Sequence, residues 1–141
     1  MAAEAEGDPV AWSEVLDFVK EAKEAGRILV VEGAGGLLVP ITSEKSFADL
    51  ALALSLPVVV VVGSRLGAIN QALLTFEVLR AKNIPTLGYV YNEVFAPKAL
   101  EPKSGTSTIV TADETNRDLL LRVAKPYEIN ELASIPHSTR I

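Results

Sequence analysis

Apolar residues along this chain fall into two alternating rhythms. Trp12, Val15, Leu16, Val19 and Ala22 recur at the three- and four-residue spacing of one helix face. Asp8-Pro9 precedes them as a cap and a favourable first helical position, and Gly26 follows as a terminator. This spacing predicts a surface helix from Pro9 to Ala25. Ile28-Leu29-Val30-Val31 then runs without any polar alternation, which predicts a strand covered on both faces, as in a parallel sheet. Pro57 to Val62 repeats that pattern and ends at Gly63. Thr86 to Tyr91 predicts a third strand, ending at Asn92.

Helical patterns separate these runs. Ser46 followed by Asp49 reads as a capping box for a short helix, Phe47 to Leu54. Ala68 to Lys82 predicts a helix with Ile69, Ala72, Leu73 and Phe76 on one face. Thr111 with Glu114 forms a second capping-box pattern, opening a helix through about Ala124 that Pro126 stops. Leu132 to Pro136 predicts one last short strand. Glu93 to Ser107 is rich in Pro, Lys, Gly and Ser and reads as a loop. Strands alternating with helices predict βαβ units: an α/β domain with a parallel sheet and flanking helices.

Composition narrows the classes. The 141 residues fit one domain, 1–141, and the 49% hydrophobic content suffices for a core. A net charge of −5 without a Lys/Arg cluster excludes a nucleic-acid surface. Cysteine is absent, so there is no disulfide framework and no thiolate metal site, which suits a reducing cytoplasm. The apolar run Val58–Val62 is too short to span a membrane, and Met1–Gly7 lacks the basic and apolar regions of a secretory signal.

In an open parallel sheet, ligands bind at the carboxyl ends of the strands, and all three clear strands end there in unusual residues. The first ends in Glu32-Gly33-Ala34-Gly35-Gly36. A carboxylate beside glycines suits a hydrated Mg²⁺ next to phosphates, and glycines let backbone N–H groups approach an anion; a tight turn with an incidental acid gives the same pattern. The second passes through Gly63-Ser64-Arg65-Leu66-Gly67 into the helix start Ala68-Ile69-Asn70. Free N–H groups there suit a carboxylate or phosphate; an ordinary capped βα loop also fits. The third ends in Asn92, whose amide could pair with both edge atoms of an adenine or simply form a turn. His137, the single histidine, has no catalytic partner in the sequence.

These segments, in this order, resemble dethiobiotin synthetases. The resemblance rests on Val30-Val31-Glu32-Gly33-Ala34-Gly35-Gly36-Leu37-Leu38-Val39-Pro40, on Ala48-Asp49-Leu50, on Leu56-Pro57-Val58-Val59-Val60-Val61-Val62-Gly63, on Leu66-Gly67-Ala68-Ile69-Asn70, and on Gly88-Tyr89-Val90-Tyr91-Asn92. It runs along nearly the whole chain and is weakest from Glu93 to Arg122. The amidotransferases of cobalamin synthesis share the first segment but add a glutaminase domain that this sequence does not contain.

The resemblance implies part of a P-loop NTPase-like (nitrogenase iron protein-like) domain without its P-loop strand, which in that family lies between the strand ending at Glu32 and the strand ending at Gly63. It implies ATP- and Mg²⁺-dependent closure of a ureido ring from 7,8-diaminononanoate and CO₂, a step of biotin biosynthesis. Glu32 becomes a Mg²⁺ ligand. Gly35, Gly36 and Leu37 lie near the diamine. Gly67, Ala68, Ile69 and Asn70 receive the substrate carboxylate across a homodimer interface. Asn92 contacts adenine, with Ile135-Pro136 lining that pocket.

One departure weighs against activity of the chain alone. The family's GxxxxGK[ST] string occurs nowhere in this sequence, and phosphoryl transfer depends on those groups. A mis-set start, a split gene with a separate N-terminal partner, and a non-catalytic binding module of the same fold all remain consistent with the residues.

Overall fold

The computed structural model describes residues 6–26, 28–94 and 112–137, the side chains of 112–115 excepted. Two compact units divide the chain, Met1–Pro57 and Val58–Ile141.

In the first unit, helix α1 spans Trp12–Glu24. It starts three residues later than the Asp8-Pro9 signal predicts. The N-cap is Ala11, without a side-chain hydrogen bond. Val19 is buried in a cluster with Leu50 and Leu54, against half-buried Trp12, Val15, Leu16, Ile41, Phe47 and Leu56. The predicted stripe is therefore the packed one. Helix α2, Phe47–Leu54, has the predicted bounds and the predicted capping box. Ser46 N–H donates to Asp49 Oδ2 at 2.8 Å, and Asp49 N–H donates to Ser46 Oγ at 3.4 Å. A cap of this kind contributes about 1 kcal/mol.

Ile28–Val31 is not a strand. It joins no ladder among the described residues, and Ile28 and Val30 are 97% and 83% exposed. The sequence has the β-branched character of a buried strand, but a strand also needs a neighbour to pair its N–H and C=O groups.

The second unit holds a three-stranded parallel sheet in the order β1-β2-β3. Strand β1 is Val58–Gly63, β2 is Thr86–Asn92 and β3 is Glu131–Ile135. Helix α3, Ala68–Ala81, links β1 to β2; helix α4, Ala112–Val123, and a short 3₁₀ turn, Lys125–Tyr127, precede β3. Pro126 sits in that turn, where the sequence expected the helix to stop. Thr111, the expected cap of α4, and most of the expected 93–107 loop lie outside the described residues.

One sheet face carries the core. Val62, Tyr89 and Tyr91 pack with Ala68, Ala72 and Phe76 of α3, with Leu120 of α4, and with Ala124 and Ile129. Phe76 is the hub, its ring centroid 6.0 Å from Tyr89 and 5.7 Å from Tyr127. The opposite face is open: Val59 and Val61 are 41% and 65% exposed. Within this unit both helices pack on the same side of the sheet, so its helices cover the apolar run of β1 on one face. The outer edge of β1 also has no partner strand among the described residues.

Two close contacts hold β3, one from β2 and one from α4. Gly88 has φ +154°, and a Cβ there would lie 2.5 Å from Asn130 O and 2.6 Å from Leu132 Cγ. Arg117 of α4 forms a forked pair with Glu131, donating Nε and Nη2 at 2.5–3.2 Å. The Tyr89 hydroxyl is buried with no hydrogen-bond partner among the described residues. Burial, and then the negative charge of Glu131, push its ionisation up to about 12.

Candidate functional site

The glycine segment of the first unit is held by the start of α2. Val39 N–H donates to Gly36 O at 3.1 Å, closing a turn over Leu37-Leu38. The chain then reverses, with Pro40 bridged to Ser46 and Ile41 N–H donating to Lys45 O at 2.7 Å. Phe47 N–H donates to Val39 O at 3.3 Å, and Ala48 N–H to Leu37 O at 2.9 Å. The first N–H groups of α2 are thus taken by the turn itself and by Ser46, so they anchor the glycine segment and are not offered to an anion. Gly35 has φ +82° and Gly36 φ +146°, conformations that favour glycine. Gly33 lies under the Phe47 ring, where a Cβ would come within 3.2 Å.

Glu32 precedes this turn. Its carboxylate is exposed and makes no hydrogen bond or ion pair with another described residue. Magnesium keeps most of its waters and takes only one or two protein carboxylates, so an exposed single carboxylate fits that role. An all-protein cage does not exist among the described residues: no three His, Cys, Asp or Glu side chains gather.

In the second unit the three strand ends fall in one row. Gly63 is in register with Asn92, and Asn92 with Ile135. Beyond the ladder, Ser64 N–H donates to Asn92 O at 2.8 Å and Glu93 N–H to Ile135 O at 2.9 Å. The Asn92 side chain is half-buried and has no side-chain hydrogen bond among the described residues, with Ile135 and Pro136 exposed on the neighbouring strand end. Asn92 and Pro136, which the resemblance assigns to one pocket, stand at neighbouring strand ends.

The βα loop ends at Gly67, the N-cap of α3, with φ +85° and no side-chain cap. Ala68 N–H donates to Arg65 O at 3.0 Å, whereas the N–H groups of Ile69 and Asn70 meet no acceptor among the described residues. That start therefore differs from α2: it leaves two donors for a ligand or for water. Arg65, the only cation of the loop, donates Nη2 to Gln71 Oε1 at 2.9 Å.

Two polar residues of this rim went unmarked in the sequence reading. Ser64 is 2% exposed, and its Oγ accepts from Val94 N–H at 3.2 Å. Glu93 accepts from His137 N–H at 3.2 Å. A hydroxyl and a carboxylate placed directly after two strand ends were the available signal.

The family model for an AAA domain matches residues 1–141. The ATP-dependent dethiobiotin synthetase BioD of Anaeromyxobacter sp. (strain Fw109-5) is 38% identical over 131 residues, 93% of this chain and 58% of that protein. The protein of the same name from Anaeromyxobacter dehalogenans (strain 2CP-C) is 45% identical over 91 residues, 64% of this chain and 41% of its own length. The chain thus spans about half the length of the curated relatives it matches. No helix among the described residues is long and apolar enough to cross a membrane. With its parallel sheet, its row of strand ends and a match along its whole length, the chain belongs to the AAA domain family, and what it resembles within that family is the ATP-dependent dethiobiotin synthetases.

Proposed function

We propose that this chain supplies the substrate-side part of a dethiobiotin synthetase, acting in ATP- and Mg²⁺-dependent ring closure on 7,8-diaminononanoate and CO₂. The observation that carries the reading is the row Gly63, Asn92 and Ile135 at the carboxyl ends of β1, β2 and β3, beside a helix start with two N–H groups that meet no acceptor among the described residues. That is where parallel sheets bind ligands.

In the proposed reaction one amine takes up CO₂ as a carbamate. The carbamate oxygen then attacks the γ-phosphorus of ATP, and ADP leaves. The second amine attacks the activated carbonyl, and phosphate leaves as the ring closes. Ile69 and Asn70 N–H groups, with Gly67 and Ala68, orient the substrate carboxylate through the positive end of α3. The backbone of Gly35, Gly36 and Leu37 lines the diamine. Asn92 pairs its amide with the adenine edge, and Pro136 packs on the base. Glu32 would hold Mg²⁺, whose charge offsets that of the phosphates when bound. A homodimer, or an N-terminal partner chain, and a cytoplasmic setting belong to the same proposal.

A second reading is a non-catalytic binding module of this fold. Incubation with diamine, CO₂ and ATP, with and without a P-loop-bearing N-terminal segment of a relative, separates them. The proposal expects no turnover by the chain alone and ring closure on mixing. Turnover above about 1 s⁻¹ by the chain alone would refute the division of labour. No ring closure in the mixture would favour the binding module.

A further inference from the structure

We propose that Ser64 and Glu93 are positioning residues for the base pocket. They fasten the ends of all three strands so that Asn92 and Pro136 keep a fixed separation. The inference rests on the adenine reading of Asn92 and Pro136.

Past the last ladder pair the backbones diverge, and without further ties the loops are free to splay. Here two side chains extend the pairing. Val94 N–H, after β2, donates to Ser64 Oγ, after β1, at 3.2 Å. His137 N–H, after β3, donates to Glu93 Oε2, after β2, at 3.2 Å. With the backbone bonds Ser64 N–H to Asn92 O and Glu93 N–H to Ile135 O, each gap between strand ends is closed twice. Asn92 sits between the two closures, and Pro136 sits between Ile135 and His137, both of which are bonded to Glu93. Ser64 is 2% exposed, and its hydroxyl serves a loop N–H group rather than solvent. A planar amide reading two atoms of a base needs its geometry held within about 0.5 Å, which two tied strand ends provide and a splayed rim does not.

The test is saturation-transfer NMR of the full chain with adenosine and, separately, guanosine as probes. Wild type is expected to prefer adenosine. Ser64→Ala and Glu93→Ala should each weaken adenosine binding about tenfold and reduce the preference, the cost of releasing one bonded strand end. Ser64→Thr and Glu93→Gln keep an acceptor oxygen and should stay within about threefold of wild type. A purely structural role would lower thermal stability but leave the adenosine-to-guanosine ratio unchanged, and that result overturns the proposal. If Ser64→Ala does not fold, the half-buried Glu93 pair of variants decides alone. Asn92→Ala separates the two layers of the argument. Loss of preference in Asn92→Ala with wild-type binding in Ser64→Ala and Glu93→Ala overturns the positioning role only. No preference in wild type, or full preference in Asn92→Ala, overturns the adenine reading and this inference with it.

Discussion

Replacing Tyr89 by Phe removes one oxygen from the centre of the second unit. That hydroxyl is buried beside Phe76 and has no hydrogen-bond partner among the described residues. An unsatisfied buried hydroxyl costs about 1–3 kcal/mol. Removing it leaves a void on the order of 10 Å³, which at about 24 cal/mol per Å³ costs about 0.2 kcal/mol. Tyr89→Phe should therefore stabilise the fold by about 1–2 kcal/mol, measured by urea unfolding followed by circular dichroism at pH 7. A second readout comes from pH. The hydroxyl's ionisation is pushed up to about 12 in the fold, chiefly by burial and then by the Glu131 charge, against about 10 in the unfolded chain. A group whose folded value is raised contributes stability that is intact below the unfolded value and is lost as pH rises through the folded one. Wild type should accordingly lose about 2–3 kcal/mol between pH 10 and 12 that Tyr89→Phe does not lose. A variant less stable than wild type at pH 7, with the same alkaline loss, would refute the reasoning and mean that the hydroxyl is satisfied.

Three other outcomes are expected. Gly88→Ala places a methyl 2.5 Å from Asn130 O and should cost about 3 kcal/mol; a thermal melt within about 2 °C of wild type would show that β3 yields to it. Glu32→Gln should leave the melting temperature unchanged, because the carboxylate is exposed, yet remove most ring-closing activity in the mixture with an N-terminal segment; lost stability with full activity would point to a turn-forming acid. The chain alone should self-associate, since Ile28 and Val30 are 97% and 83% exposed and Val61 is 65% exposed on a strand whose outer edge has no partner among the described residues; a monomer by sedimentation, with strong exchange protection across Ile28–Val31 and Val58–Val62, would contradict this.

Local signals were the legible ones. Ser46 and Asp49 stand three residues apart, and a capping box needs nothing else, so α2 appears with its predicted bounds. Val58–Val62 and Thr86–Tyr91 could be read as strands because each finds the other as a neighbour. Ile28–Val31 has the same composition, and its pattern says only that the segment would tolerate burial; pairing depends on a neighbour elsewhere. Asn92 could be singled out by its place after a strand and joined to Pro136 by the resemblance, but the physical basis of their alignment, the register of β2 on β3, is not written in either segment. Ser64 and Glu93 stand visibly after two strand ends, but what they bond was illegible for a related reason. Their partners are the N–H groups of residues 94 and 137, 30 and 44 positions away, and no local spacing encodes that distance.

The order β1-β2-β3 matches the order in which the strands are synthesised. Among the described strands, none has to slip between two already paired ones. As the chain leaves the ribosome, amino end first, β1, α3 and β2 can close around Phe76 while β3 is still being made. Leu132 then meets Gly88 and Glu131 meets Arg117 as a final addition at a waiting edge. The rim that carries Asn92 is completed by this same pairing, so its geometry is set only once β3 has joined a sheet edge that β1 and β2 have already formed.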